Sequence, residues 1–356
     1  MREHVTSSEG QHRALWRPGR LFLGTALVVA VASSGVGAAA LASGRPTATA
    51  ATTSTLTGGL RAAPTYTFKT IRLPQSIDSQ ITGINTAGVF TGQAIFRSGS
   101  SSITKNFVES SRVGSKPVYF TIPFAAEPLT AVTAGIDNSG EIVGDYADTN
   151  GVFHGFIRSP KGVFTKFNVA GAGTAPHEGT EIAGISPQGI IVGSFIGARK
   201  FATGFIDNGT VKRYREPGAG TGAGDGTSVD FFPRSGEFGG LFIDNHGAAK
   251  GWYSLDGKVH VLSDPASGPA VDNTGTQLFG IGATGRLYGV EAPGKGSAES
   301  FTYKGGLFRV LRDPRQAKGP KSGTLILTVN SAGTIAGFYV YDAAGQRRAF
   351  IARQVH

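Results

Sequence analysis

Cysteine is absent from this 356-residue chain, methionine occurs once, and charged residues make up only 16% of it. The missing cysteine excludes a disulfide scaffold, a thiolate-ligated zinc or iron–sulfur site, a cysteine nucleophile and a lipoprotein anchor. Low charge beside a 40% hydrophobic share excludes an acidic disordered chain. Seven histidines are scattered without an H-E-x-x-H motif or any close pair suited to metal. No G-x-S-x-G elbow and no sialidase-type Asp-box repeat occurs. Glycine is the residue in excess, with 54 copies and no collagen-like period. Many tight turns between short strands are implied, hence an all-β chain.

The first 42 residues read as targeting. Arg2, Arg13, Arg17 and Arg20 precede an uncharged apolar run, Leu21 to Ala42, ending in Ala40-Leu41-Ala42. That order matches a secretory signal peptide cleaved before Ser43. The run is also long enough to serve as an uncleaved membrane anchor. Residues 43–62 are rich in Ala, Thr, Ser and Gly and read as a flexible linker. The domain of residues 63–356 is thus expected outside the cytoplasm, secreted or anchored only through its N-terminal segment. The formal charge is +10, and residues 1–42 contribute four basic against two acidic groups. Residues 286–356 hold eleven Lys/Arg and four Asp/Glu, so most of the remaining excess sits near the C-terminus. Such a sector attracts anionic polymers or acts as a solvated rim.

The chain repeats. A pair of glycines four apart recurs at Gly88/Gly92, Gly140/Gly144, Gly189/Gly193, Gly236/Gly240, Gly285/Gly289 and Gly333/Gly337. Successive first glycines are 52, 49, 47, 49 and 48 residues apart. An aromatic residue follows each pair: Phe107, Phe156, Phe205, Trp252, Phe301 and Phe350. A third marker is an apolar-alternating run, often stopped by proline, as in Val211–Tyr214 before Pro217 and Leu307–Leu311 before Pro314. Each unit reads as four antiparallel strands. In the second unit these are a strand ending at Ile136, the turn Asp137–Gly140, a returning strand Ile142–Tyr146, a strand holding Phe156, and Val163–Val169. The first glycine supplies the positive φ of a tight turn, and the second leaves room for a close neighbour. Asn208-Gly209 marks the hairpin between strands three and four of the third unit.

Four strands per unit and six units predict a six-bladed β-propeller. The last unit stops after its third strand, while Tyr66–Leu73 is a fourth-strand signature without a unit of its own. The N-terminal strand 66–73 is therefore expected to complete the last blade and close the ring.

Gly135–Gly144 followed by His154-Gly155-Phe156 resembles the bacterial extracellular repeat family named for a His-Ala-Phe (HAF) motif. Arg348-Ala349-Phe350 is the nearest variant at the other end, and the resemblance spans roughly residues 66–356. It implies an extracellular, repeat-built protein whose motif residues are structural. Histidine stands in one unit only, and alanine is often glycine or serine.

Candidate sites are few. Gly280–Gly285 matches G-x-G-x-x-G but falls in a repeat turn rather than before a helix. Glu181 and Asp230 precede their repeat glycines by eight and six residues, an even difference that places them on equivalent faces in adjacent blades. They are the candidate catalytic pair, since glycosidases need two carboxylates across the scissile bond. His177 and Glu178, with Asp225 of the Gly-rich loop, are candidate ligand-binding residues. Asp145, Asp148 and Asn150 crowd one loop with calcium-suited oxygens, though without the full twelve-residue loop pattern. No other cofactor is expected.

The longest connections are Pro123–Thr133, Ala170–Glu181, Glu216–Val229, Asp264–Gln277 and Asp313–Thr324, all on one face, where a ligand site is expected. The leading expectation is a monomeric, non-catalytic propeller binding a cell-surface polymer or protein through that face. The alternative is a carbohydrate- or lactone-active enzyme using channel-mouth carboxylates. Nucleic acid is not expected, because export and the lack of basic strands interleaved with aromatics speak against it.

Overall fold

The glycine-rich turns and alternating apolar runs form strands throughout the computed structural model, which describes residues 65–127, 130–234, 236–264, 275–292, 298–319 and 322–355. The signal and linker expectations fall outside these residues. The chain begins with β1 (Thr65–Thr70). The first unit is β2 (Ser76–Ile84), β3 (Val89–Ser98), β4 (Ser101–Ser110) and β5 (Val118–Phe120). The second is β6 (Ala131–Ile136), β7 (Ile142–Ala147), β8 (Phe153–Arg158) and β9 (Phe164–Phe167). The third is β10 (Gly179–Ile185), β11 (Ile191–Ile196), β12 (Ala202–Asp207) and β13 (Val211–Tyr214). The fourth is β14 (Gly226–Arg234), β15 (Glu237–Ile243), β16 (Ala249–Leu255) and β17 (Lys258–Leu262). The fifth is β18 (Gly275–Ile281), β19 (Leu287–Ala292), β20 (Glu299–Lys304) and β21 (Leu307–Leu311). Last come β22 (Thr324–Val329), β23 (Ile335–Val340) and β24 (Arg347–Val355).

Within each unit, neighbours in sequence pair antiparallel. The final three strands gain their fourth from the other chain end: β1 pairs with β24 from Thr65↔Val355 to Thr70↔Phe350. The innermost strands pack side by side in chain order, β2 on β6, β6 on β10, β10 on β14, β14 on β18 and β18 on β22, and β22 packs on β2. This is the arrangement of a β-propeller.

The register explains why the repeat markers travel together. Each second glycine pairs directly with its unit's aromatic residue, as Gly92↔Phe107, Gly144↔Phe156, Gly193↔Phe205, Gly240↔Trp252, Gly289↔Phe301 and Gly337↔Phe350. The ring lies over the glycine: a Cβ at Gly144 would sit 2.8 Å from Phe156 and 2.0 Å from the Val132 carbonyl oxygen. All six aromatic residues are buried, and burying each contributes roughly 1.5–3 kcal/mol. The first glycines turn the chain, with positive φ at all six positions, for example +89° at Gly140. That turn is held by Asp137, whose Oδ1 accepts from the Ser139 and Glu141 amides at 2.9 and 2.8 Å.

The core lies between units as well as within them. Val143 and Val169 of the second unit share an apolar cluster with Ile182, Phe195 and Phe205 of the third. Single parallel backbone bridges, Phe153↔Gly179, Ala202↔Gly226 and Ala249↔Gly275, tie a third strand to the next innermost strand.

Candidate functional site

The six innermost strands converge because small residues let them. At Gly83 of β2 a Cβ would lie 2.6 Å from the Cα of Gly135 on β6. The ends of these strands enclose a cavity of about 70 Å³, lined by residues including Gly83, Gly135, Gly184, Asp230, Gly280 and Thr328. It has room for about two waters and is far below the roughly 300–1,000 Å³ of a small-molecule pocket. It opens on the side of the short first-to-second-strand turns. A wider surface groove of about 480 Å³ lies on the same side, between Ala87 and Val89 of the first unit and Arg112–Ser115. Both cavities are therefore opposite the long connections, where the sequence placed a site. The physical reason is that the long connections close upon themselves.

That closure has a repeated chemistry. The amides of Val169, Glu216, Asp264 and Asp313, where outer strands end, donate to Thr180, Thr227, Thr276 and Thr324 Oγ1 at 2.7–3.0 Å. Each of these threonines follows a glycine, giving Gly179-Thr180, Gly226-Thr227, Gly275-Thr276 and Gly323-Thr324. This Gly-Thr step is a further repeat marker, readable in the sequence and overlooked there. The first three of these strands begin at the glycine, so their connections end a few residues earlier than the sequence expectation, while β22 begins at Thr324.

The candidate ligand residues sit in this closure. Glu178 and Asp225 occupy equivalent places just before Gly179 and Gly226. The Ala175 amide donates to Glu178 Oε2 at 3.2 Å, and the Gly222 amide donates to Asp225 Oδ2 at 2.8 Å. Lys200 hydrogen-bonds Glu178 and holds its carboxyl below the usual range. His177 adopts φ +65° in the turn before it. These residues shape loops.

Asp145, Asp148 and Asn150, the residues of the calcium expectation, occupy different places. Asp145 is a buried residue of β7 paired with Gly155. Asp148 Oδ1 accepts from the Asn150 and Val152 amides at 2.8 and 3.0 Å, closing the next turn, and Oδ2 lies 3.3 Å from His154 Nε2. Among the described residues no three His, Asp or Glu side chains converge on a common point. His154 of the His-Gly-Phe motif stacks on Tyr146 with ring centroids 5.3 Å apart. Gly280-Ile281 ends β18, and Gly285 forms a strand-to-strand turn at φ +72°, so the G-x-G-x-x-G match opens no helix.

Glu181 and Asp230 do come together. Register places Gln80, Val132, Glu181, Ser228, Gln277 and Leu325 at one level of the six innermost strands, each opposite the residue after a repeat glycine. Asp230 lies two residues beyond Ser228, at the bulge between Val229 and Phe231. Ser228 Oγ donates to Asp230 Oδ1, and Gln277 Nε2 donates to Oδ2 at 3.2 Å. Glu181 is 2% exposed, and its Oε2 has no hydrogen-bond partner. Burial, then the neighbouring Asp230 charge, pushes the Glu181 carboxyl up to about 7. Burial raises Asp230 to about 6, against the pull of Ser228 and Gln277. The pair can hold a proton or a cation. Asp230 lines the cavity, whereas Glu181 is buried and is not part of its lining.

The basic C-terminal sector is partly neutralised within the fold. Arg312 pairs with Glu299, Arg315 with Asp313 at 2.7 Å, and Arg347 with Asp78 at 2.8 Å.

No protein-family model and no curated protein matches this chain. Solved structures do. AofleA from Arthrobotrys oligospora matches with 10% identity over 82% of this chain and 86% of its own, at a TM-score of 0.47. The Aleuria aurantia lectin, a six-bladed β-propeller described with a novel fucose recognition mode, matches with 10% identity over 81% and 97%, at 0.41. Trypanosoma rangeli sialidase matches with 9% identity over 82% of this chain and 60% of its own, at 0.46. At these identities and scores the likenesses carry no functional argument.

Proposed function

We propose that the chain is a closed six-bladed β-propeller of the extracellular His-Ala-Phe-repeat type. On this reading it is exported by its N-terminal segment and binds a polymer or protein at the cell surface without turning it over. The observation that carries this is the fastening of the long connections. The connections before β10, β14 and β22 are each tied end to end by a Gly-Thr step, as binding loops on a rigid scaffold are. Lys318 on the connection 313–324 and Arg199 on the loop after β11 are exposed and enter no ion pair among the described residues, which favours an anionic polymer. The enzyme reading is weaker, because Glu181 is buried and the cavity that Asp230 lines holds only about 70 Å³.

The test is binding of the full chain to anionic wall polymers, acidic polysaccharides and neutral glycans at low and high salt. Binding to an anionic polymer that weakens with salt is expected. Replacing residues 217–224 by a short turn should reduce it, with a modest fall in Tm because Ala219 leaves the core, and Glu181→Gln should leave it intact. Turnover of any glycan by the wild type, lost in Glu181→Gln, would overturn the reading. So would full binding by the loop-shortened variant.

A further inference from the structure

We propose that Glu181 and Asp230 hold one hard divalent cation, best suited to Ca2+, within the ring where the third and fourth units meet. The starting observation is an electrostatic imbalance. Two carboxylates stand on adjacent innermost strands, Glu181 buried and Asp230 half-buried, and among the described residues neither forms an ion pair with Lys, Arg or His. Burying two neighbouring negative charges without a counter-charge is strongly unfavourable.

A second observation points to a missing partner rather than mere crowding. Glu181 Oε2 is buried and unbonded, although buried carboxylate oxygens are almost always satisfied. Asp230 is already oriented by Ser228 Oγ and Gln277 Nε2, which leaves each of its oxygens a further lone pair. Such positioning is what the residues behind a metal ligand supply.

The donor set selects the ion class. Carboxylates, a hydroxyl and a side-chain amide are hard oxygen donors, and the chain has no cysteine. Two carboxylates match one divalent charge. The irregular geometry of a strand bulge suits Ca2+, which tolerates variable coordination, better than Mg2+, which demands an octahedron. The cavity of about 70 Å³ that Asp230 lines admits the ion with one or two waters. Phe279 and Leu327 also line it, and an apolar lining strengthens the attraction.

The experiment uses the full chain stripped with EDTA at pH 8, titrated separately with CaCl2 and MgCl2 by calorimetry and by thermal unfolding. One Ca2+ per chain is expected, with a rise in Tm and weaker binding of Mg2+. Glu181→Gln should weaken Ca2+ binding about tenfold or more, because ligand charge sets affinity. The variant Glu181→Gln with Asp230→Asn should lose it. Without metal that double variant should melt above the stripped wild type, because the repulsion is gone, which also shows that it folds. Wild type that answers to neither metal would overturn the proposal and leave the carboxyls as a proton-sharing pair. Equal Ca2+ affinity in the double variant would overturn it too, by placing the ion elsewhere.

Discussion

The joints between consecutive units differ from the contact between the last unit and the first. Between the second and third, third and fourth, and fourth and fifth units, a glycine meets the preceding third strand backbone to backbone. At the corresponding positions between last and first units stand Arg347 and Asp78. Arg347 donates its backbone amide to Asp78 Oδ2 at 3.0 Å and its guanidinium to the same carboxylate and, at 3.1 Å, to Gln80 Oε1. The Ala349 amide adds a bond to Ser79 Oγ, and Asn330 Nδ2 one to the Asn85 carbonyl. At the inner joints each unit's own outer strand continues into the next unit, so a generic backbone contact suffices. Between the last and first units the link, residues 71–75, runs from β1, which the last unit holds only by its pairing with β24, so the partner is chosen by side-chain chemistry.

The largest blow to this difference would be removing the strand that crosses the joint between the last unit and the first. Deleting residues 63–75 takes away all pairing between β1 and β24, and loss of a cooperative thermal transition, or dimerisation seen by light scattering, is expected. An unchanged Tm would end the idea that this strand closes the ring. Arg347→Ala comes next. It strands the Asp78 carboxylate beside a largely buried space and should cost about 3–5 kcal/mol by urea unfolding.

Acidity separates the third-to-fourth joint from both. Folding raises the Glu181 carboxyl from 4.5 to about 7, so the folded state favours the protonated form. With EDTA present, stability should therefore be highest near pH 5 and fall as pH rises through about 7. The loss is on the order of 3 kcal/mol, and Glu181→Gln should flatten the curve. A rise in stability over that range would contradict the geometry.

At an inner joint, Gly226→Ala puts a Cβ 2.2 Å from the Ala202 carbonyl oxygen at φ +118° and should cost about 1–3 kcal/mol. The smallest change is expected from Arg312→Ala. Its pair with Glu299 is exposed, and its loss should cost no more than about 1 kcal/mol, fading with salt. A larger cost would erase the contrast with Arg347.

Much of the fold was legible because repetition makes a weak signal strong. One Gly-x-x-x-Gly is uninformative, but six at near-constant spacing, each followed by a buried aromatic, imply one unit built six times. The partner strand for the last unit was legible from what the unit lacked. The site was less so. Glu181 and Asp230 stood out as carboxylates at even offsets, but their meeting depends on bulges in β10 and β14 that shift both strands relative to their partners. The roles of Glu178 and Asp225 were hidden for the opposite reason. Acidic loop residues resemble ligands in sequence, and only their bonds to the Ala175 and Gly222 amides identify them as loop closures.

By itself the sequence determined the all-β class, the turns and the glycine-under-aromatic packing, because these are local or adjacent-strand relations that recur with the repeat. Tertiary structure alone decided the Asp78–Arg347 joint, 269 residues apart along the chain, and the burial of Glu181 near Asp230. Neither recurs from unit to unit. Both arise only when the innermost strands are brought around to meet, where distance along the chain no longer measures distance in space.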